Sequence, residues 1–71
     1  MSSIRRLREA KGMTQVELAG AVGVSQATVS DWENGKIKPD LPRAVRLADL
    51  FNTTLDVIYG RSEAGTERSM A

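Results

Sequence analysis

The sequence contains no cysteine and no histidine, and only three of its 71 residues are aromatic: one tryptophan, one tyrosine and one phenylalanine. The absence of cysteine excludes disulfides and thiol nucleophiles, and the absence of histidine removes the side chain best suited to proton transfer near neutral pH. Most zinc sites are excluded as well. Because no pair of carboxylates stands in an apolar stretch that would raise a pKa, we expect no enzyme, no metal or other cofactor and no small-molecule ligand.

Long apolar runs are missing too. The first thirteen residues contain no apolar signal-peptide core, because five charged side chains interrupt them: Arg5, Arg6, Arg8, Glu9 and Lys11. Nowhere do about 20 apolar residues follow one another, the length that a membrane-spanning helix needs. We therefore expect a cytoplasmic protein without a membrane partner.

The length and composition of the chain are sufficient for one small domain. A chain of 71 residues with 41% hydrophobic and 27% charged residues is expected to fold around a single core. Such a short chain buries only about 60% of the surface that it exposes when unfolded, which favours stabilisation by association with a second copy. The net charge of +1 is too small to indicate a nucleic-acid partner by itself, although residues 1–38 carry six basic and four acidic side chains.

Helical spacing and capping residues predict five helices and no strand, an all-α fold. We expect helices at residues 3–11, from 15 to a stop at 23, from 26 to the Asn-Gly pair at 34–35, from a cap at 40 to 51, and from a cap at 54 to 58 or 59. Thr14 and Glu17 fit a capping box. Residues 61–71 have Met70 as their only large apolar side chain, so we expect a domain at residues 1–60 and a polar C-terminal tail.

The same spacing predicts the core. The buried side of the second helix should consist of Val16, Leu18, Ala19 and Val22. The fourth helix should bury Leu41, Ala44, Val45, Ala48 and either Leu50 or Phe51. Trp32 shares the face of Val29 on the third helix, which favours a core role over a base-stacking role.

The second and third helices have the pattern of a DNA-binding pair, two helices linked by a tight glycine turn. Ala19 stands where the helices must cross closely, Gly23 where the turn needs a positive φ, and Val29 where the third helix enters the core. With these residues the chain resembles the Cro and phage-repressor type, or XRE, helix-turn-helix domains over about residues 4 to 60. The resemblance rests on Ile4-Arg5-x-Leu7-Arg8, Met13-Thr14-Gln15-x-x-Leu18-Ala19, Gly23-Val24-Ser25, Val29-Ser30-x-Trp32-Glu33-Asn34-Gly35, Leu47-Ala48 and Leu55-x-x-Ile58.

The resemblance implies a lambda-repressor-like five-helix bundle with a central helix-turn-helix, whose third helix enters the major groove of double-stranded DNA. Four residues then match base-reading positions: Gln26, Ala27, Ser30 and Asp31. Gln26 suits adenine, and Gln15 is expected to brace it as well as to contact phosphate. The phosphate-contacting and positioning set comprises Thr14, Gln15, Ser25, Thr28, Asn34, Lys36, Lys38 and Arg43.

Two further groups follow from the resemblance. Arg8 and Glu33 match an internal ion pair, so Arg8 is expected to be structural. Phe51, Leu55, Val57, Ile58 and Tyr59 match the region in which two subunits pair about a two-fold axis, so we expect a homodimer. The alternative for this last group is that the C-terminal tail covers it.

The resemblance implies a bacterial or phage transcriptional regulator that binds a pseudo-palindromic operator as a homodimer. Repression is favoured over activation. Two roles are left open for Asp31: it can accept a hydrogen bond from cytosine, or it can oppose close approach to wrong bases. Without the resemblance, Gln26, Thr28 and Ser30 would be an ordinary solvated helix face. The competing function is a protein-interaction module, an antitoxin-like or adaptor subunit with weak or partner-dependent DNA binding. It is favoured by the low net charge, by Asp31 and by the apolar end at residues 51–59, which we expect to be exposed.

Overall fold

A computed structural model describes residues 3–60, which form five α-helices and, within that range, no strand. The helices are α1 (Ser3–Ala10), α2 (Gln15–Val22), α3 (Gln26–Glu33), α4 (Leu41–Phe51) and α5 (Leu55–Ile58). The all-α prediction is confirmed, and each helix lies within about one residue of its predicted bounds. The predicted tail at residues 61–71 lies outside the described residues.

The helix boundaries follow from side chains that satisfy the free amides of each first turn. The capping box before α2 is complete: the Glu17 amide donates to Thr14 Oγ1 at 3.0 Å, and the Thr14 amide donates to Glu17 Oε1 at 2.8 Å. Ser25, Asp40 and Thr54 accept in the same way at the starts of α3, α4 and α5. These local bonds explain why the helix starts could be predicted without tertiary information.

The core lies where α1, α2, α3, α4 and α5 converge. Leu18, Val29 and Leu47 are completely enclosed. Small side chains at Ala19 and Ala44 let the helices approach closely. Trp32 is 5% exposed, which confirms its predicted core role. The remaining buried members are Ile4, Val22, Ala48 and Ile58.

Three predicted core residues lie on the surface instead: Val16 is 61% exposed, Leu41 59% and Val45 42%. On α4 the buried stripe runs through Ala44, Leu47 and Ala48. At about 100° per residue, Val45 lies roughly 110° from the centre of that stripe, and Val16 lies similarly far from the buried stripe of α2. Leu41 stands at the edge of the stripe in the first turn. The prediction was therefore wrong for these three, and Leu47 is the central α4 residue that it omitted.

A buried ion pair joins α1 to the end of α3, as the sequence predicted. Arg8 Nε lies 2.6 Å from Glu33 Oε2, and Arg8 Nη2 lies 3.2 Å from Glu33 Oε1. Arg8 Nη1 also donates to the Met13 carbonyl at 2.8 Å, in the turn before α2. The Arg8 and Glu33 side chains are 12% and 3% exposed. One guanidinium thus fixes the relative positions of three segments.

The ion pair shifts the titration of both partners. Burial of the Glu33 carboxyl raises its pKa, but hydrogen bonds from Arg8 and Gln15, with the charge of Arg8, outweigh that effect and leave the pKa below its usual value. The hydrogen bond to Glu33 raises the pKa of Arg8. Both groups are therefore charged at neutral pH, and the pair is intact there.

Removal of the guanidinium should destabilise the protein strongly. We expect Arg8→Ala to lower the free energy of unfolding by about 3 kcal/mol, the lower end for a buried pair, because it leaves the Glu33 carboxylate without its counter-ion. For a domain of this size that corresponds to a loss of more than about 10 °C in Tm. Thermal melts followed by circular dichroism measure it. Arg6→Ala, an exposed arginine of α1, is the matched control, and equal melts for the two variants would contradict the structural role.

Acid should weaken the fold through Glu33. Because its folded pKa is depressed, Glu33 stabilises the protein above its unfolded pKa, near the reference value of 4.5, and this contribution is lost as pH falls through the lower folded pKa. We expect the free energy of unfolding of the wild type to fall more steeply below about pH 4.5 than that of Glu33→Gln. Urea denaturation between pH 3 and 7 tests this. The same pH dependence for the wild type and Glu33→Gln would contradict this contribution.

Candidate nucleic-acid interface

The segment from α2 through α3 has the geometry of a helix-turn-helix. Gly23 ends α2 with a φ of +85°, and its amide donates to the Ala19 carbonyl at 2.8 Å. A Cβ at Gly23 would meet nothing within 4 Å, so glycine is favoured there by the left-handed backbone rather than by space. Val24 packs half-buried against the core, and Ser25 caps α3. The turn thereby delivers the first residues of α3 to the surface.

Gln26, the first residue of α3, is exposed and held by a hydrogen bond. Its Nε2 donates to Gln15 Oε1 at 3.3 Å, which is the bracing contact expected from the sequence. Gln15 Nε2 in turn donates to Glu33 Oε1 at 3.0 Å. The exposed glutamine is therefore connected through Gln15 and Glu33 to the buried ion pair with Arg8.

The four candidate base-reading residues share one side of α3, because at about 100° per residue positions 26, 27, 30 and 31 fall within an arc of about 140°. Gln26 and Ala27 are exposed, whereas Ser30 and Asp31 are half-buried. Ser30 Oγ accepts from Asn34 Nδ2 at 3.3 Å. The Asp31 carbonyl accepts from the Lys36 amide at 2.9 Å and thus helps to shape the turn after α3. The structure therefore brings the predicted set together on one helix face.

The candidate phosphate-contacting residues occupy the starts of α2 and α3 and the segment that leads from α3 into α4. At the two helix starts, the hydroxyls of Thr14 and Ser25 accept from backbone amides, and the Ser25 and Thr28 hydroxyls lie 3.0 Å apart. Lys36 and Lys38 are exposed in the loop after α3. Arg43, by contrast, forms an exposed ion pair with Asp40 at 3.2 Å, so part of its charge is compensated within the protein.

Arg46 was not among the residues predicted from the sequence to contact phosphate. This arginine is exposed on α4 and, with Arg43, lines a shallow hollow beside Gly23 at the turn of the helix-turn-helix. The spacing of three residues between the two arginines places them on the same face of α4 and could have indicated the pair. The structure thus adds a second cation at this edge of the candidate interface.

The five predicted dimer residues lie at the α4–α5 end. Phe51, Leu55, Val57 and Tyr59 are half-buried and Ile58 is buried. The Tyr59 hydroxyl donates to the Pro39 carbonyl at 2.9 Å, which ties this end to the loop before α4. Within residues 3–60, the large apolar side chains with most exposure lie elsewhere, at Val16, Ile37, Leu41 and Val45.

Residues 3–60 contain neither a candidate metal site nor a candidate membrane span. In the stretch 3–60 no group of three acidic residues, cysteines or histidines could hold a metal ion. None of the helices in that stretch is long and apolar enough to cross a bilayer.

Known proteins share this pattern. A profile of the family described as Helix-turn-helix matches residues 4–58. An uncharacterised HTH-type transcriptional regulator of Archaeoglobus fulgidus is 41% identical over 56 residues, which cover 79% of this chain and 80% of that protein. The HTH-type transcriptional regulator AnsR of Bacillus subtilis is 32% identical over 89% of this chain and 54% of its own length. The HTH-type transcriptional activator BcrR of Enterococcus faecalis is 32% identical over 84% of this chain but only 29% of its own length.

The family match covers α1 to α5, so it includes the ion pair, the glycine turn and the whole of α3. The resemblance inferred from the sequence is therefore confirmed. The chain belongs to the XRE-type helix-turn-helix family of DNA-binding domains.

Proposed function

We propose that this chain is a cytoplasmic, sequence-specific transcriptional regulator that binds double-stranded DNA as a homodimer and acts as a repressor. The observation that carries the proposal is Gln26, exposed at the start of α3 and held by Gln15. A side chain that is ordered before binding loses less conformational entropy on contact with a base than a freely rotating one. The ordered Gln26 side chain therefore favours a role in base recognition over that of an ordinary solvated residue.

The face of α3 suits the major groove. The groove is about 12 Å wide and admits a helix, while the eight residues of α3 extend over roughly 12 Å. A glutamine amide can pair with adenine N6 and N7, the Ala27 methyl can contact a thymine methyl, and the Ser30 hydroxyl can donate or accept. Asp31 can accept from cytosine N4 or oppose wrong bases.

The backbone of DNA would be held by residues on both sides of α3. We assign Thr14, Gln15, Ser25 and Thr28 to one phosphate contact region. The other comprises Asn34, Lys36, Lys38, Arg43 and, from the structure, Arg46. Such contacts set affinity and register without sequence information. Only four of these residues, Lys36, Lys38, Arg43 and Arg46, are cations, so the electrostatic attraction to DNA of any sequence is modest.

A homodimer is proposed because one eight-residue helix contacts too few base pairs to define an operator. Two copies related by a two-fold axis place their α3 helices about 34 to 36 Å apart on one face of the duplex. We assign the interface to the α4–α5 end, at Phe51, Leu55, Val57, Ile58 and Tyr59. Repression needs only that the dimer occupies DNA that polymerase requires. BcrR is named an activator, so a promoter reporter has to establish the sign for this chain.

A protein-interaction module remains the second candidate. It is favoured by Asp31 on the exposed side of α3 and by the exposed apolar side chains of Ile37, Leu41 and Val45. Such a module would bind DNA weakly and without sequence preference in the absence of a partner. The next experiment separates the two functions.

Selection of binding sites from random double-stranded DNA at about 0.15 M salt should yield an inverted repeat with half-sites about one helical turn apart. In Gln26→Ala, the preference at one position of each half-site should fall by about five- to 150-fold, because a bidentate contact with adenine is lost. Arg6→Ala is the control, with unchanged preference at every position. Absence of any enriched sequence for the wild type would favour the interaction module.

Lys36→Ala should weaken binding to all sequences by a similar factor. We expect the slope of log K against log salt concentration to fall by about 1 for each subunit bound, because one phosphate contact per subunit is removed. Fluorescence anisotropy with the selected operator and with a scrambled duplex, between 50 and 300 mM salt, measures both slopes. Lys11→Ala removes another exposed lysine, outside the assigned contact regions, and is the control. If the Lys36 and Lys11 variants have the same slope, Lys36 is not a phosphate contact.

A further inference from the structure

Two hydrogen bonds connect the Glu33 carboxylate through Gln15 to Gln26. The carboxylate determines which side chain donates in each of them. An ionised carboxylate accepts hydrogen bonds but cannot donate them, whereas the side-chain amide of glutamine can do either, depending on its orientation. Glu33 is ionised because two nitrogens of Arg8 bind it. Its side chain is 3% exposed, so solvent cannot readily replace its protein partners.

Glu33 therefore imposes one orientation on Gln15. The NH2 group of Gln15 must face Glu33 Oε1, to which it donates at 3.0 Å. The Gln15 carbonyl oxygen is then left to face α3, where it accepts from Gln26 Nε2 at 3.3 Å. Because Gln15 presents an acceptor, Gln26 in turn must present its NH2 group to Gln15. Two amides that could each rotate by 180° are thus held in a single arrangement.

This arrangement decides which groups Gln26 can offer to DNA. Its Oε1 and its second N–H remain available, one acceptor and one donor. Adenine displays the complementary N6 donor and N7 acceptor in the major groove, but guanine displays two acceptors, N7 and O6. An amide that is free to rotate could turn its NH2 group towards guanine O6. When the amide held by Gln15 directs its free N–H at N7, its Oε1 faces O6 of guanine, and two acceptors cannot form a hydrogen bond with each other.

We propose that Glu33, which lies too deep to contact DNA, is a positioning residue for base recognition: through Gln15 its carboxylate fixes the amide orientation of Gln26 and thereby the preference for adenine over guanine. The proposal rests on the proposed function, because it requires that Gln26 contacts a base. It gives Glu33 a role beyond the stability that its pairing with Arg8 provides. It also predicts that specificity changes when a buried residue on the far side of Gln15 is altered.

The experiment measures a ratio, the affinity for the selected operator divided by the affinity for the same duplex with guanine in place of adenine at the position identified by Gln26→Ala. A ratio is insensitive to changes that weaken binding to all DNA equally. Three variants are compared with the wild type: Glu33→Gln, Gln15→Met, and the double variant Gln15→Glu with Glu33→Gln. Circular dichroism fixes an assay temperature at which each variant is folded.

Gln15→Met removes the link but leaves both bonds between Arg8 and Glu33 in place, so the fold should be retained. We expect its adenine-to-guanine ratio to fall by about three- to tenfold, because the Gln26 side chain regains rotational freedom. Glu33→Gln should lower the ratio by a similar factor, because an amide at position 33 accepts either orientation of Gln15.

The double variant exchanges the two functional groups. A glutamate at position 15 can accept from Gln26 Nε2 and also from an amide at position 33, so the orientation of Gln26 is imposed again. We expect its ratio to return to within about twofold of the wild type, although the added negative charge near phosphate lowers affinity for both duplexes. A role of Glu33 in stability alone would give no such recovery, because in both Glu33→Gln and the double variant an amide replaces the carboxylate that binds Arg8.

The outcomes separate this proposal from the proposed function. If the wild type enriches no sequence, or if Gln26→Ala keeps the wild-type ratio, Gln26 does not contact a base and the proposed function fails at this residue. If Gln26→Ala loses the preference but both Gln15→Met and Glu33→Gln retain it, the function stands and Glu33 has no positioning role. A double variant that stays as low as Glu33→Gln would also overturn the imposed orientation.

Discussion

The buried contact between Arg8 and Glu33 is the interaction on which the arrangement of the helix-turn-helix depends. Packing of a small, mostly aliphatic core selects which face of each helix is buried, but the hydrophobic attraction itself is non-directional and adds no specific contact between particular helix ends. The guanidinium of Arg8 is a planar fork that matches the carboxylate at 2.6 and 3.2 Å and still reaches the Met13 carbonyl. It therefore sets α1, the start of α2 and the end of α3 in one geometry. The breaking of such a pair costs more than its formation contributes, because either charge alone would be buried without a partner.

The helix boundaries could be predicted from the sequence because the interactions that determine them are local. Thr14 and Glu17 complete their capping box within four residues, and Gly23 ends α2 through its own backbone conformation. The rotation of each helix about its own axis, which decides the face that is buried, was harder to predict. On α2 and α4 the apolar residues extend beyond one stripe, and packing against other helices decides that Val16 and Val45 are exposed while Leu47 is enclosed. That choice is made by residues distant in sequence, so periodicity within one helix does not contain it.

In the candidate site, too, some contacts could be predicted and others depend on how the helices pack. The resemblance to the family indicated the pairing of Arg8 with Glu33 and the contact between Gln15 and Gln26, although these partners are 25 and 11 residues apart. The hydrogen bond from Gln15 to Glu33, across 18 residues, was not predicted. No local pattern signals it, because it exists only when α2 and α3 are packed. Yet it joins the structural pair to the exposed glutamine and turns two separate features into one continuous network.

The acidic side chains near the candidate interface explain how a protein of net charge +1 could still bind a polyanion. Glu33 is enclosed by Arg8 and Gln15, and Glu17 is engaged in the capping box. Asp40 accepts hydrogen bonds from the guanidinium and the backbone amide of Arg43. Their negative charges are thus offset by donors within the protein, while Lys36 and Lys38 are exposed. Asp31 is different, since it lies half-buried on the side of α3 assigned to the bases. A carboxylate there repels every phosphate that approaches it, so only a base that offers a donor offsets the cost. In the proposed DNA complex, low net charge and Asp31 would act in the same direction: both weaken binding that ignores sequence, so the directional contacts of α3 supply the specificity.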